Sequence, residues 1–132
     1  MVFVSNTCPF VKANEAYISE VASCAQGNQI GVVFVNSNEA QRSSDDSFDN
    51  MKKFAEHKRF LKYALDKNSL VADAFGATKT LECFLFDKSG SLIYKGSVTD
   101  DARSPETAKE FYLKNAMDAL IAGKEIKTNS TK

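Results

Sequence analysis

Apolar residues along this chain switch repeatedly between strand-like and helix-like spacing. Val2-Phe3-Val4 is a short apolar run that reads as a strand. The segment after it, about Pro9 to Ala25, carries Val11, Tyr17, Ile18, Val21 and Ala22 at helical spacing, and Gly27-Asn28 is expected to close that helix. Ile30 to Val35 is continuous apolar sequence bounded by turn residues, the mark of a strand buried on both faces. A right-handed strand–helix–strand crossover makes these two strands parallel, so Asn36-Ser37-Asn38 ends at the same sheet edge as the turn after Val4.

Beyond a polar Ser/Asp-rich loop, Asp46 or Ser47 is placed to cap a helix over about Ser47–Lys58, with Phe48, Met51 and Phe54-Ala55 as its apolar stripe. Phe60 to Leu65 holds a candidate edge strand. Ser69 is placed to cap a third helix, with Leu70, Val71, Ala74 and Phe75 inward and Gly76 at its end. Glu82 to Asp87 reads as a strand, Lys88-Ser89-Gly90 as a hairpin turn, and Leu92 to Lys95 as the returning strand. Pro105 suits the first turn of a last helix reaching Ala122, with Phe111, Ala116, Met117, Leu120 and Ile121 inward and Gly123 as cap. The order β-α-β, inserted α-β-α, then β-β-α predicts an α/β fold: a three-layer α/β/α sandwich around a central mixed sheet. One domain over 1–126 is expected, with 127–132 a disordered tail.

The bulk numbers narrow the function. At 132 residues, 43% hydrophobic and 26% charged, the chain has the composition of a soluble globular domain. Its seventeen basic and seventeen acidic side chains cancel, so no long-range field recruits nucleic acid or an anionic membrane. No apolar run approaches the about 20 residues that span a bilayer. No signal peptide is visible, which implies a cytoplasmic location if the chain is full length. Three cysteines, Cys8, Cys24 and Cys83, form no C-x-x-C pair and no disulfide scaffold. His57 is the single histidine, which argues against a Cys/His metal site and leaves no expected metal or other cofactor. It falls among Lys and Glu at the polar end of a helix and reads as a surface residue.

Cys8 has a more interesting position. It lies where a strand ends and a helix begins, followed by Pro9, which suits the first helical position. A thiol there is expected to face unpaired backbone N–H groups and the positive end of the helix dipole, which favour the thiolate. The competing reading is a small buried apolar residue. Cys24 stands well over about 20 Å further along that helix, at about 1.5 Å per residue. Cys83 falls inside a central strand and reads as inert packing, so no intramolecular disulfide from Cys8 is expected.

The stretches Asn6-Thr7-Cys8-Pro9-Phe10-Val11, Val35-Asn36-Ser37-Asn38, Asp46 to Ala55, Val71-Ala72-Asp73-Ala74-Phe75-Gly76-Ala77 and Phe84-Leu85-Phe86-Asp87 carry a resemblance. In order and spacing, from about Val2 to Lys124, the chain resembles the thioredoxin-like superfamily. Within it, it is similar to the redoxin and alkyl-hydroperoxide-reductase/thiol-specific-antioxidant group, in the branch with a single-cysteine N-x-C-P-[FY]-V motif. The resemblance implies a thioredoxin-like fold, and relatives usually carry further structure before the first strand. It implies Cys8 as redox centre, with Thr7, Pro9 and Leu81 where a bound partner is met. Ser5, three before Cys8, matches the hydroxyl of the peroxiredoxin T-x-x-C motif. Arg42, Arg59 and Arg103 are candidates for the guanidinium that such enzymes use.

Two departures stand out. The family's Ala-x-Cys-Thr-Pro stretch reads Ala77-Thr78-Lys79-Thr80-Leu81, so Lys79 replaces a second cysteine and Leu81 the cis-proline. A cis peptide before leucine costs about 3–4 kcal/mol, so trans is expected. Leu81→Pro is expected to be tolerated. Lys79, facing the cysteine turn, would favour the Cys8 thiolate. Two functions remain open. One is a single-cysteine peroxidase or thiol–disulfide oxidoreductase, served by an external thiol reductant or a redox partner protein. The other is a redox-inactive binding or structural module of the same fold.

Overall fold

Three parallel strands and an antiparallel hairpin build one five-stranded sheet in the order β3-β2-β1-β4-β5, described over residues 1–131 by the computed structural model. The parallel strands are β1 (Val2–Phe3), β2 (Phe34–Asn36) and β3 (Tyr63–Leu65), with Val2 opposite Phe34 and Phe34 opposite Tyr63. The hairpin is β4 (Glu82–Phe86) and β5 (Leu92–Ser97), and β4 runs antiparallel to β1.

Alternation along these strands sorts the core. Val2, Val4, Phe34, Cys83, Leu85 and Tyr94 point to one face, against α2 (Glu15–Gly27) and α5 (Tyr112–Ala122). Phe3, Val35 and Phe84 point to the other, against Ala72 and Phe75 of α4 (Leu70–Phe75). Phe75 stacks edge-on with Phe3, Phe84 and Phe86. Two helices, the sheet and one helix thus make three layers, as expected. The short helix α3 (Phe48–Ala55) lies by the β3 edge, with Phe54 against Tyr63. Ser47 caps it, its hydroxyl accepting the Asn50 N–H at 3.2 Å.

Local polar chemistry moves several boundaries. The first helix is two: α1 (Pro9–Ala13) and α2, divided at Asn14. The Asn14 side chain is fully buried and donates to Phe10 O (2.7 Å) and Ala102 O (2.8 Å), competing with the helix ladder for a carbonyl. α2 ends at Gly27, but the left-handed residue beyond it is Gln29. Of the expected strand over 30–35 only 34–35 pair as strand, and β2 runs on to Asn36.

Ser69 does not cap α4. It sits in left-handed backbone and its hydroxyl donates to Ser37 O, while the Asp66 carboxylate accepts the Val71 and Ala72 N–H groups at 2.9 Å each. Ala72 is therefore the buried residue of α4, whereas Leu70 and Ala74 are exposed. The last helix starts at Tyr112 instead of Pro105. Asp101 accepts from Ser104 N–H and the Thr107 hydroxyl, and Asp100 accepts from Lys109 N–H, which holds this segment as a loop with one 3-10 turn over Pro105–Thr107. Leu113, Ala116 and Met117 are the buried residues of α5, and Ile121 is exposed.

Residues 129–131 run beside β5. Lys95 N–H donates to Asn129 O (3.1 Å) and Thr131 N–H to Lys95 O (3.0 Å), extending the sheet beside β5. Gly96, at φ 139°, permits this approach, because a Cβ there would collide with Thr131 Oγ1. Lys132, the end of the expected disordered tail, lies outside the described residues. Among the described residues no helix is long and apolar enough to cross a membrane.

Candidate functional site

Cys8 stands at the carboxyl edge of β1 as the N-cap of α1, half-buried. Its side chain makes no capping hydrogen bond. Pro9 brings no N–H to the first turn, and α1 is a five-residue helix. The sulfur instead meets the facing loop: Cys8 Sγ and Thr80 Oγ1 are 2.9 Å apart and share a hydrogen bond. Sequence reasoning passed over Thr80, whose signal was its place beside the proline position in the Ala-x-Cys-Thr-Pro stretch.

The loop that presents Thr80 is fastened to the sheet. Leu81 N–H donates to Phe3 O at 2.6 Å, and Thr78 N–H to the Glu82 carboxylate at 2.9 Å. Leu81 is buried, with φ at 63°, and among the described residues no peptide is cis. Proline holds φ near −65° and has no N–H, so the expected tolerance of Leu81→Pro does not fit this backbone.

Beside the Cys8–Thr80 pair lies an open groove of about 390 Å³, whose lining includes Phe10, Lys79, Thr80, Leu81, Arg103 and the acidic Asp100 and Asp101. Thr7, Pro9 and Lys79 are exposed, and of these Lys79 lines the groove. Ser5 is buried, and the hydroxyl that reaches the sulfur is that of Thr80. Arg42 serves as a strut: it donates to Glu39 (2.7 Å), Asp46 O (2.7 Å) and Asn36 O (2.8 Å). Arg59 is exposed, as is His57.

Behind the turn lies a buried polar network. Asn6 N–H donates to Asp46 Oδ1 (2.8 Å), Asn6 Nδ2 to Asp45 O (2.9 Å), and Tyr63 O–H to Asn6 Oδ1 (2.8 Å). Asn36 Nδ2 joins Asp46 Oδ1 (2.7 Å) to Tyr63 Oη (2.9 Å), and Asn38 Nδ2 donates to Asp46 Oδ2 (2.8 Å). Burial pushes the Tyr63 phenol up to about 12; the Asn36 bond and Arg42 oppose this and Asp46 adds to it. Tyr63 therefore stays a donor at neutral pH. Asn6, Asn36, Asn38 and Asp46 all belong to the stretches that carry the family resemblance, which was the signal for this cluster.

The sheet order and layers define a thioredoxin-like fold, and a solved thioredoxin-like protein in its oxidised form superposes with TM-score 0.68 at 23% identity, over 94% of this chain and 77% of that one. Closer in sequence are an uncharacterized conserved protein of Geobacillus kaustophilus (TM-score 0.84, 30% identity) and a hypothetical protein of Sinorhizobium meliloti 1021 (0.83, 31%). Each alignment covers 98% of this chain, and 71% and 74% of those chains respectively. The chain belongs to the family of these two bacterial proteins. No family model and no curated protein matches it.

Proposed function

We propose that this is a single-cysteine thiol redox protein of the redoxin type, working through Cys8. The observation that carries the reading is the 2.9 Å contact between the half-buried Cys8 sulfur and the Thr80 hydroxyl, beside an open groove. A thiolate at Cys8 accepts the Thr80 O–H, while its free side attacks an incoming oxygen or sulfur. With a hydroperoxide, the S–O bond forms as the O–O bond breaks, giving a sulfenic acid and an alkoxide or hydroxide that takes a proton from solvent to leave as alcohol or water. A first external thiol displaces water to form a mixed disulfide, and a second releases Cys8 and the external disulfide. Two external thiols are needed because Lys79 stands where relatives carry a second cysteine. Lys79 and Arg103 supply cations along the groove.

A second reading, a redox-inactive module, draws on Leu81. Its N–H is already paired with Phe3 O, and the proline that relatives use at a bound partner is lost. One experiment separates the two. The folded chain is treated with hydrogen peroxide or a small disulfide, and each cysteine is mapped by mass spectrometry. Oxidation concentrated at Cys8, and slowed in Thr80→Val, supports the redox protein. Cys8 reacting no faster than Cys24 leaves the module.

A further inference from the structure

Asn6 lies two residues before Cys8, and its backbone N–H and both side-chain polar atoms are held by residues distant along the chain. Its N–H goes to Asp46, its Nδ2 to Asp45 O, and its Oδ1 receives the Tyr63 hydroxyl. Thr7, between Asn6 and Cys8, is exposed. The cysteine turn is thus gripped at two points, Asn6 on one side and the Cys8–Thr80 contact on the other.

The Asn6 grip is built with unusual polarity for a core. Asp46 is 0% exposed, and a buried carboxylate is costly unless donors surround it. Here the donors are Asn6 N–H, Asn36 Nδ2 and Asn38 Nδ2. Apolar residues of similar volume are often neutral or stabilising in place of buried charge, so stability alone is a weak reason for such a cluster. What the cluster does is fix direction. Two donors from different elements converge on Asp46 Oδ1, and Tyr63 fixes the plane of the Asn6 amide from the edge strand β3.

We propose that Tyr63 and Asp46 are positioning residues for the Cys8 thiol, acting through Asn6. This rests on the reading of Cys8 as the working thiol. Without the Tyr63 hydroxyl, Asn6 Oδ1 loses a donor, the turn gains freedom to rotate, and the sulfur leaves its register with Thr80. The ring of Tyr63 still packs on Phe54 when only the hydroxyl is removed, so Tyr63→Phe loses just the hydroxyl's two bonds, its donation to Asn6 Oδ1 and its acceptance from Asn36 Nδ2.

The test is alkylation of the folded full chain by iodoacetamide, with Cys8 and Cys24 followed separately by peptide mapping. Parent, Tyr63→Phe, Asn6→Ala and the double variant are compared. Tyr63→Phe is expected to change the Cys8:Cys24 rate ratio by about threefold to tenfold, the scale of one lost hydrogen bond. The double variant is expected to fall short of the sum of the two single effects, because Tyr63 acts directly on the Asn6 side chain and otherwise only through Asn36 and Asp46 to the Asn6 N–H. An unchanged ratio in Tyr63→Phe, or additive effects in the double variant, overturns the proposal. If Asn6→Ala fails to fold by circular dichroism, hydrogen exchange of the Asn6 amide in Tyr63→Phe decides: faster exchange supports the grip, and parental exchange overturns it. Alkylation needs no redox activity, so a Cys8 that ignores peroxide defeats the redox reading and leaves this result standing.

Discussion

Leu81 shows how much one residue can say once its backbone is known. A non-glycine residue at φ 63° is uncommon, and this one is 3% exposed with its N–H bound to Phe3 O. Proline at this position meets an incompatible φ and leaves a buried carbonyl without its donor. Leu81→Pro is therefore expected to destabilise the chain by about 3 kcal/mol or more. Urea unfolding monitored by far-UV circular dichroism reads this directly, and an unshifted midpoint would mean that the loop adopts a different path. Thr80 was hidden from sequence reasoning for a related reason. Its contact with Cys8 spans 72 positions, and nothing in the spacing of a threonine marks the sulfur it will meet.

At the scale of elements, the sheet was legible because each strand writes its own pattern. Val2-Phe3-Val4 and Cys83-Phe84-Leu85 alternate between the two faces, as the period of a strand requires. Boundaries set by side chains reaching across the fold were not legible. Asn14 divides the first helix by holding Ala102 O, 88 positions away, and Asp66 caps α4 in place of Ser69. The tail is the largest such case, because Gly96 gives it an edge to join. Gly96→Ala is expected to push residues 129–131 off β5 and speed hydrogen exchange at the Lys95 amide, by about tenfold or more if pairing is lost. The β4–β5 ladder on the other side of β5 is expected to keep its protection. Parental exchange at Lys95 would show that the tail tolerates a side chain there.

For the whole molecule, buried titratable groups set the pH range of stability. Burial pushes the Cys83 thiol from 9.0 up to about 12, and Tyr63 from 10.0 up to about 12. The folded chain thus keeps protons that the unfolded chain releases, so the stability these two groups contribute is full below about pH 9 and falls as pH rises from there toward 12. Asp66 acts at the other end. Burial opposes its ionisation, but hydrogen bonds from Val71, Ala72 and Ser37 and the Arg42 charge hold it below 3.8. Its contribution is complete above that value and is lost as pH falls through the folded one. Burial also lowers the Met1 ammonium from 8.0, so urea titrations are expected to show the highest stability between about pH 8 and 9, with a decline below 8 as pH falls through that group's folded value. Cys83 alone adds a downward slope of up to about 1.4 kcal/mol per pH unit above about pH 9. In Cys83→Ala the alkaline slope becomes shallower, and an identical slope would exclude this thiol as its source.

The order of elements, the three layers and the carboxyl-edge position of Cys8 were determined by the sequence itself, because hydrophobic period and turn residues are local and act wherever the chain goes. The tertiary structure alone decided what the Cys8 sulfur touches, which acid caps α4, where the tail lies and how Asn6 is gripped. Each of those is a hydrogen bond between groups brought together by packing, and spacing along the chain does not say which partner each will meet.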